Sequence, residues 1–102
     1  MTAVVFHTEA EREVEDAVEY YECRRTGLGR DARTKFEEAV ARILQNPKLF
    51  SHFRNTDIRK CFVDRFPYTI YFRELDDSIW VAAVAHQKRR EGYWLDRSPE
   101  DG

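Results

Sequence analysis

Three features of this 102-residue sequence predict an α+β domain of element order β-α-α-β-β-β. A short β-branched run opens the chain, two stretches of helical period follow, and three stretches in the second half read as strands. A helical hairpin and a small, mostly antiparallel sheet can each bury an apolar face on the other. Residues 1–97 read as one such domain, and residues 98–102 (SPEDG) as a frayed, solvated tail.

The opening run AVVF (3–6) suits a first strand, being β-branched and aromatic. Thr8 and Glu11 have the T-x-x-E spacing of a capping box. Glu9, Glu11, Glu13 and Glu15 place negative charge near the positive end of a helix dipole. Ala10, Val14, Ala17, Val18 and Tyr21 then trace one helical face. Gly27 reads as the left-handed residue just past the end of this helix. A second helix carries Phe36, Ala39, Val40, Ile43 and Leu44 on one side. Asn46-Pro47 stops it, because the residue before a proline avoids helical geometry. Only a few residues join the two helices, so an antiparallel pair is expected.

After a loop around Leu49 to Thr56 the period changes. Strands are expected at 58–63, 68–74 and 78–86, with Pro67 between the first two and a tight turn at Leu75-Asp76-Asp77-Ser78. The last strand contains IWVAAVA (79–85), apolar throughout. That pattern predicts a central strand buried on both faces, since a half-exposed strand would alternate.

Composition narrows the functional classes. Hydrophobic residues make up 42% and charged residues 35%, which allows one core under a heavily charged surface. No stretch approaches the ~20 apolar residues of a membrane span. The start, MTAVVFHTEA, lacks the basic residues and long apolar run of a secretion signal. Cys23 and Cys61 stand in no metal-like spacing and read as two reduced thiols of a cytoplasmic protein, and no metal or cofactor is expected. The net charge is -2, with 8 Lys/Arg against 10 Asp/Glu in residues 1–50 and 9 against 9 in residues 51–102. A protein living on phosphate contacts shows a basic footprint, so any nucleic-acid role here must rest on a local patch.

One such patch exists, at HQKRREGYWL (86–95). Basic side chains beside aromatics could clamp RNA and move its protons, dock a protein, or simply be a solvated chain end. His86 is the one histidine placed to titrate there; its bland alternative is a hydrogen bond at the sheet edge. His7 and His52 have no ligand partners at metal spacing.

Four segments, AVEYYECRRTGLG (17–29), FEEAVARILQNPKLF (36–50), RFPYTIYFRE (65–74) and VAAVAHQKR (81–89), carry a family resemblance. In order and spacing they resemble the RelE/ParE superfamily of toxins from bacterial toxin–antitoxin modules, also called plasmid stabilisation proteins. RFPY leading into a Y-F-R strand, and a V-A-H strand end before basic residues, resemble the ParE branch. The resemblance implies a toxin held inactive by a small antitoxin encoded beside it. Members of the RelE branch cut messenger RNA on ribosomes; ParE-like members inhibit DNA gyrase without a nuclease reaction.

By register, the RelE-branch catalytic lysines fall at Lys60 and Phe62, the third-strand arginine at Thr69, the later arginine at Gln87 (or Lys88), and the tyrosine at Tyr93. Cleavage through the 2′-OH needs a base, cations around the phosphorane and a donor for the leaving oxygen. Each lost charge-stabilising contact costs about a hundredfold in rate. A nuclease would have to rely on Lys60, His86, Arg89 and Tyr93. The favoured expectation is binding: Lys88, Arg89, Arg90, Tyr93 and Trp94 on the target, and Tyr20, Tyr21, Phe36, Arg65 and Arg73 on the antitoxin. Arg65 and Arg73 would face an acidic antitoxin tail that folds on binding. A member that binds its antitoxin without being toxic is the third possibility.

Overall fold

The computed structural model describes residues 2–101. Met1 and Gly102, the ends of the expected domain and tail, lie outside the described residues. The elements run β1 (Ala3–Phe6), α1 (Thr8–Arg24), α2 (Leu28–Gln45), a 3-10 turn (Pro47–Leu49), β2 (Arg59–Phe62), β3 (Tyr68–Glu74) and β4 (Ser78–His86). The sheet order is β1-β4-β3-β2, with β1 parallel to β4 and the other neighbours antiparallel. The apolar strand is therefore internal, as its composition predicts, and the β3 and β4 boundaries fall where the period places them.

Two helix ends differ from expectation. Thr8 is the first helical residue of α1, and His7 is the cap, its Nδ1 accepting from the Glu9 N–H at 3.0 Å. The reason is the sheet: the His7 N–H still bonds the Val81 carbonyl at 2.9 Å, so the chain leaves the sheet and enters the helix with no spacer. Gly27 is left-handed, with φ 90°, but it also directly precedes α2. The Glu22 carboxylate of α1 accepts from the Gly27 N–H at 3.1 Å and the Gly29 N–H at 3.0 Å. One side chain thus satisfies the first amides of the next helix. A Cβ at Gly29 would lie 2.7 Å from the Val18 carbonyl oxygen, so this glycine sets how closely the helices approach.

Both faces of the sheet are covered. The helices pack Ala10, Ala17, Phe36, Ala39 and Ile43 against Ile70, Phe72, Val81 and Val84. On the other face, Phe53 and Ile58 from the 50–58 loop and Trp94 from the chain end cover Tyr71, Trp80, Ala82, Ala83 and Ala85. Adjacent residues Ala82 and Ala83 share this face because the register shifts: Tyr71 pairs with Ala83 but Phe72 with Val81, leaving Ala82 as a bulge. Alanines keep the second face shallow enough for an indole to lie across it. Cys23 is exposed and Cys61 buried, and both are free thiols.

The expected tail, residues 98–101 of it described, forms a turn with a few contacts. The Ser98 N–H donates to Asp101 Oδ2 at 2.9 Å, and His7 Nε2 lies 3.5 Å from the same oxygen. That backbone bond holds the Asp101 carboxyl below its ordinary range.

The close approach at Gly29 is testable. Gly29→Ala should destabilise the fold by about 1–3 kcal/mol in urea unfolding, through overpacking, despite alanine's better helix propensity. An unchanged or raised midpoint would contradict the packing.

Candidate functional site

β1 pairs with β4 only as far as Phe6 and Val81. Beyond that point β4 presents an unpaired backbone edge, and two charged side chains occupy it. Glu13 of α1 accepts the Val84 N–H at 2.9 Å. Arg97 donates to the Ala82 carbonyl at 2.9 Å, at the bulge. The two pair through both guanidinium nitrogens, at 3.2 and 3.1 Å, with each side chain only 14% exposed. Tyr93 adds a third contact, donating its hydroxyl to Glu13 at 2.6 Å. Arg89 adds a fourth, 3.7 Å from the Glu13 carboxylate, with its guanidinium 3.7 Å above the Tyr93 ring. Helix α1 thereby grips the segment 89–97 by one carboxylate.

This arrangement decides what the HQKRREGYWL segment presents. Lys88, Arg89 and Arg90 are exposed. Trp94 is not: it is 1% exposed, its ring 4.4 Å from that of Tyr71 and 4.9 Å from that of Phe53. The expectation of Trp94 as a free target contact is therefore corrected; the alanine-lined second face draws it into the core. Tyr93 is half-buried. Burial first, then the Glu13 carboxylate, push its hydroxyl far above the ordinary tyrosine range. His86 ends β4, and its Nδ1 accepts the Lys88 N–H at 3.0 Å, fixing the turn that leads into the cations.

The register positions of the nuclease pattern do meet in space. Lys60, Phe62, Thr69, Gln87 and Tyr93 all line one cleft of about 130 Å³, together with His86, Arg89 and Arg90. Its chemistry is thin for cleavage. Thr69 is buried and uncharged, Phe62 is 60% exposed, and the Tyr93 proton is committed to Glu13. Tyr93 is thus a poor acid for a leaving oxygen.

The antitoxin-facing set is divided. Tyr20 and Tyr21 stand together on α1, their rings 5.1 Å apart, and line a cleft with Arg24, Leu28, Tyr68 and His86. The Arg24 guanidinium donates to the Tyr20 hydroxyl. Tyr21 stacks edge-on against Phe66 at 4.8 Å, and Arg65 lies 5.3 Å over that same Phe66 ring, bridged to Asp31 at 3.4 Å. Tyr20, Tyr21 and Arg65 thus form one surface. Arg73 is elsewhere, 5.7 Å over Trp80 on the opposite face of the sheet. Phe36 is 4% exposed and belongs to the core, but it also walls a cleft of about 360 Å³ between the helices, floored by Ile70 and Val84. Among the described residues, no cluster of His, Cys, Asp or Glu could hold a metal ion, and no helix is long and apolar enough to cross a membrane.

A family model for the ParE toxin of type II toxin–antitoxin systems, parDE, matches residues 4–91. The chain belongs to the ParE toxin family. A chain of the solved chromosomal ParDE TA system from P. aeruginosa shares the fold, with a TM-score of 0.67 at 14% identity, over 84% of this chain and 96% of that one. No curated protein matches the sequence. The ParE match runs from β1 through the cations at 88–90 and stops before Tyr93, Trp94 and Arg97.

From sequence Glu13 was read only as one of the acids at the start of the first helix, and Arg97 was given no role. A signal existed for Glu13. It stands three residues after Ala10 and four before Ala17, on the stripe that α1 buries, and a carboxylate there requires a partner. Arg97 carried no comparable signal, because its role depends on a bulge.

The buried tyrosines set an alkaline limit on this ParE-family fold. The Tyr68 hydroxyl is pushed up to about 12, chiefly by burial and then by Tyr21, and Tyr93 is raised as well. The folded state therefore keeps protons that the unfolded chain gives up near pH ~10. Stability should hold below that pH and fall as pH rises from there through the folded values. Urea midpoints measured from pH 8 to 12 should decline above pH 10, less steeply in Tyr68→Phe. A flat profile would contradict the buried environment.

Proposed function

We propose that this ParE-family chain is the toxin of a two-protein module in the cytoplasm, held inactive by a cognate antitoxin and inhibiting growth, when free, by binding DNA gyrase and stalling its cleaved-DNA state. The observation that carries a binding toxin over a cleaving one is the cleft at 60–93. The positions where the nuclease pattern needs charge hold Phe62, Thr69 and Gln87, and the hydroxyl of Tyr93 is engaged by Glu13. The gyrase target itself rests on the likeness to the ParE branch. The target contact narrows to Lys88, Arg89 and Arg90, with the Tyr93 ring as the platform under Arg89. Trp94 serves this contact from inside the core.

The antitoxin reading draws on two features. The apolar cleft between α1 and α2 suits one side of an amphipathic helix. The surface of Tyr20, Tyr21 and Arg65 combines exposed aromatic area with a cation, the make-up of an interface centre. Arg73, on the far face, would meet only the end of a wrapping tail. A ribosome-dependent nuclease remains the second reading, favoured by one fact: Lys60, His86, Arg89 and Tyr93 do line a single cleft.

Induction of the chain alone should arrest growth, and co-induction with its neighbouring gene should restore it. Arg89→Ala/Arg90→Ala should abolish the arrest while the antitoxin still co-purifies. Gyrase supercoiling should be inhibited in vitro by the wild type and not by the double variant. Cleaved messenger RNA with normal supercoiling would overturn the gyrase reading, and no arrest under any induction would overturn toxicity.

A further inference from the structure

We infer that Glu13, a helix α1 residue outside the basic segment, is the positioning residue that holds Arg89, and with it the run Lys88–Arg90, in its target-binding geometry. The inference rests on the reading of that run as the toxic contact.

The geometry points from α1 outward. Segment 87–97 forms no helix or strand; the Gln87 N–H bonds the Pro67 carbonyl at 2.8 Å, and beyond it the backbone makes turn bonds such as Arg89 N–H to the His86 carbonyl at 3.0 Å. Glu91 pairs with Arg54 at 3.6 Å and Arg97 reaches the Ala82 carbonyl, but two devices bear on the stretch that carries Arg89 and Tyr93. Trp94 is inserted beside Phe53 and Tyr71, which fixes one point. The second is the Glu13 carboxylate, which reaches both sides of that point. It takes Tyr93 and Arg97 directly, and Arg89 at 3.7 Å. The Tyr93 hydroxyl is bonded to that carboxylate and its ring face lies 3.7 Å from the Arg89 guanidinium, so the carboxylate orients the ring and the ring supports the cation. Arg89 itself is 54% exposed, so it is held on one side and open on the other. Lys88 and Arg90 share that short turn, and the Lys88 amide is fixed in it by His86.

A held cation loses less freedom on binding than a loose one. Glu13 therefore contributes to target affinity without touching the target. Its other duty, satisfying the Val84 N–H, concerns the sheet and does not involve Arg89. The two duties can be separated by experiment. Glu13→Gln keeps an acceptor for Val84 but removes the charge that gathers the arginines. Tyr93→Phe keeps the ring and Glu13 but breaks the bond between them.

The test compares wild type, Glu13→Gln, Tyr93→Phe and Arg89→Ala. Each is assayed for inhibition of gyrase supercoiling, for growth arrest, for antitoxin affinity and for amide exchange along the chain. Both Glu13→Gln and Tyr93→Phe should weaken inhibition about tenfold, the effect of one charge-assisted hydrogen bond. In Tyr93→Phe, which leaves the Glu13–Arg97 pair in place, exchange should rise in residues 88–97 and stay unchanged in β3 and β4. Antitoxin affinity should stay within about twofold, because Tyr20 and Tyr21 lie further along the helix. Inhibition at wild-type strength in Tyr93→Phe, or a loss in that variant matched by faster exchange throughout the sheet, would overturn the proposal. If the wild type leaves gyrase untouched while arresting growth, the gyrase reading fails alone. The positioning role is then decided by whether growth arrest falls in the same order across the variants.

Discussion

One carboxylate closes this fold. Where β1 ends, the central strand of the sheet is left with an open edge, and Glu13 and Arg97 fill it with one acceptor and one donor. The pair joins the helical layer on one face of the sheet to the chain end on the other. A buried ion pair contributes little net stability over a well-packed apolar pair, yet removing one partner leaves a desolvated charge and costs several kcal/mol. Its value is specificity. It selects one position for residues 89–97 among the many that Trp94 alone would allow, and that segment follows directly on the exposed cations.

The rest of the site depends on this closure. With the chain end folded back, the second face of the sheet becomes a core of its own, and Trp94 changes from a surface aromatic into packing. With Tyr93 committed to Glu13, the cleft of Lys60, His86 and Arg89 lacks a free acid and reads as a basic surface. The helical hairpin remains accessible beside it, with His86 bordering both the Tyr20–Tyr21 cleft and the basic cleft. Helix α1, which carries Tyr20, Tyr21 and Glu13 alike, links the hairpin surface to the basic segment.

Much of the architecture was legible in residue patterns. The apolar run 79–85 located the central strand, the helical stripes located α1 and α2, and Asn46-Pro47 located the end of the hairpin. These signals are strong because each is repeated over many residues. The errors share a cause. Thr8 had the right spacing for a cap but lost the role to His7, which the sheet holds in place. Trp94 beside three charges resembled an interface residue, since sequence does not reveal that two adjacent alanines face the same way at a bulge. Arg65 and Arg73 flank one strand in sequence, yet one meets Phe66 and the other Trp80 on opposite faces. Each error involves a contact between distant parts of the chain, set by topology and not by local pattern.

The central claim is that Glu13 and Arg97 act as a pair. A double-mutant cycle on urea unfolding tests it most directly, using Glu13→Gln, Arg97→Gln and the double variant. The account predicts a coupling of at least about 1 kcal/mol, with the double variant losing less than the sum of the singles. Single losses that simply add, within about 0.3 kcal/mol, would contradict it.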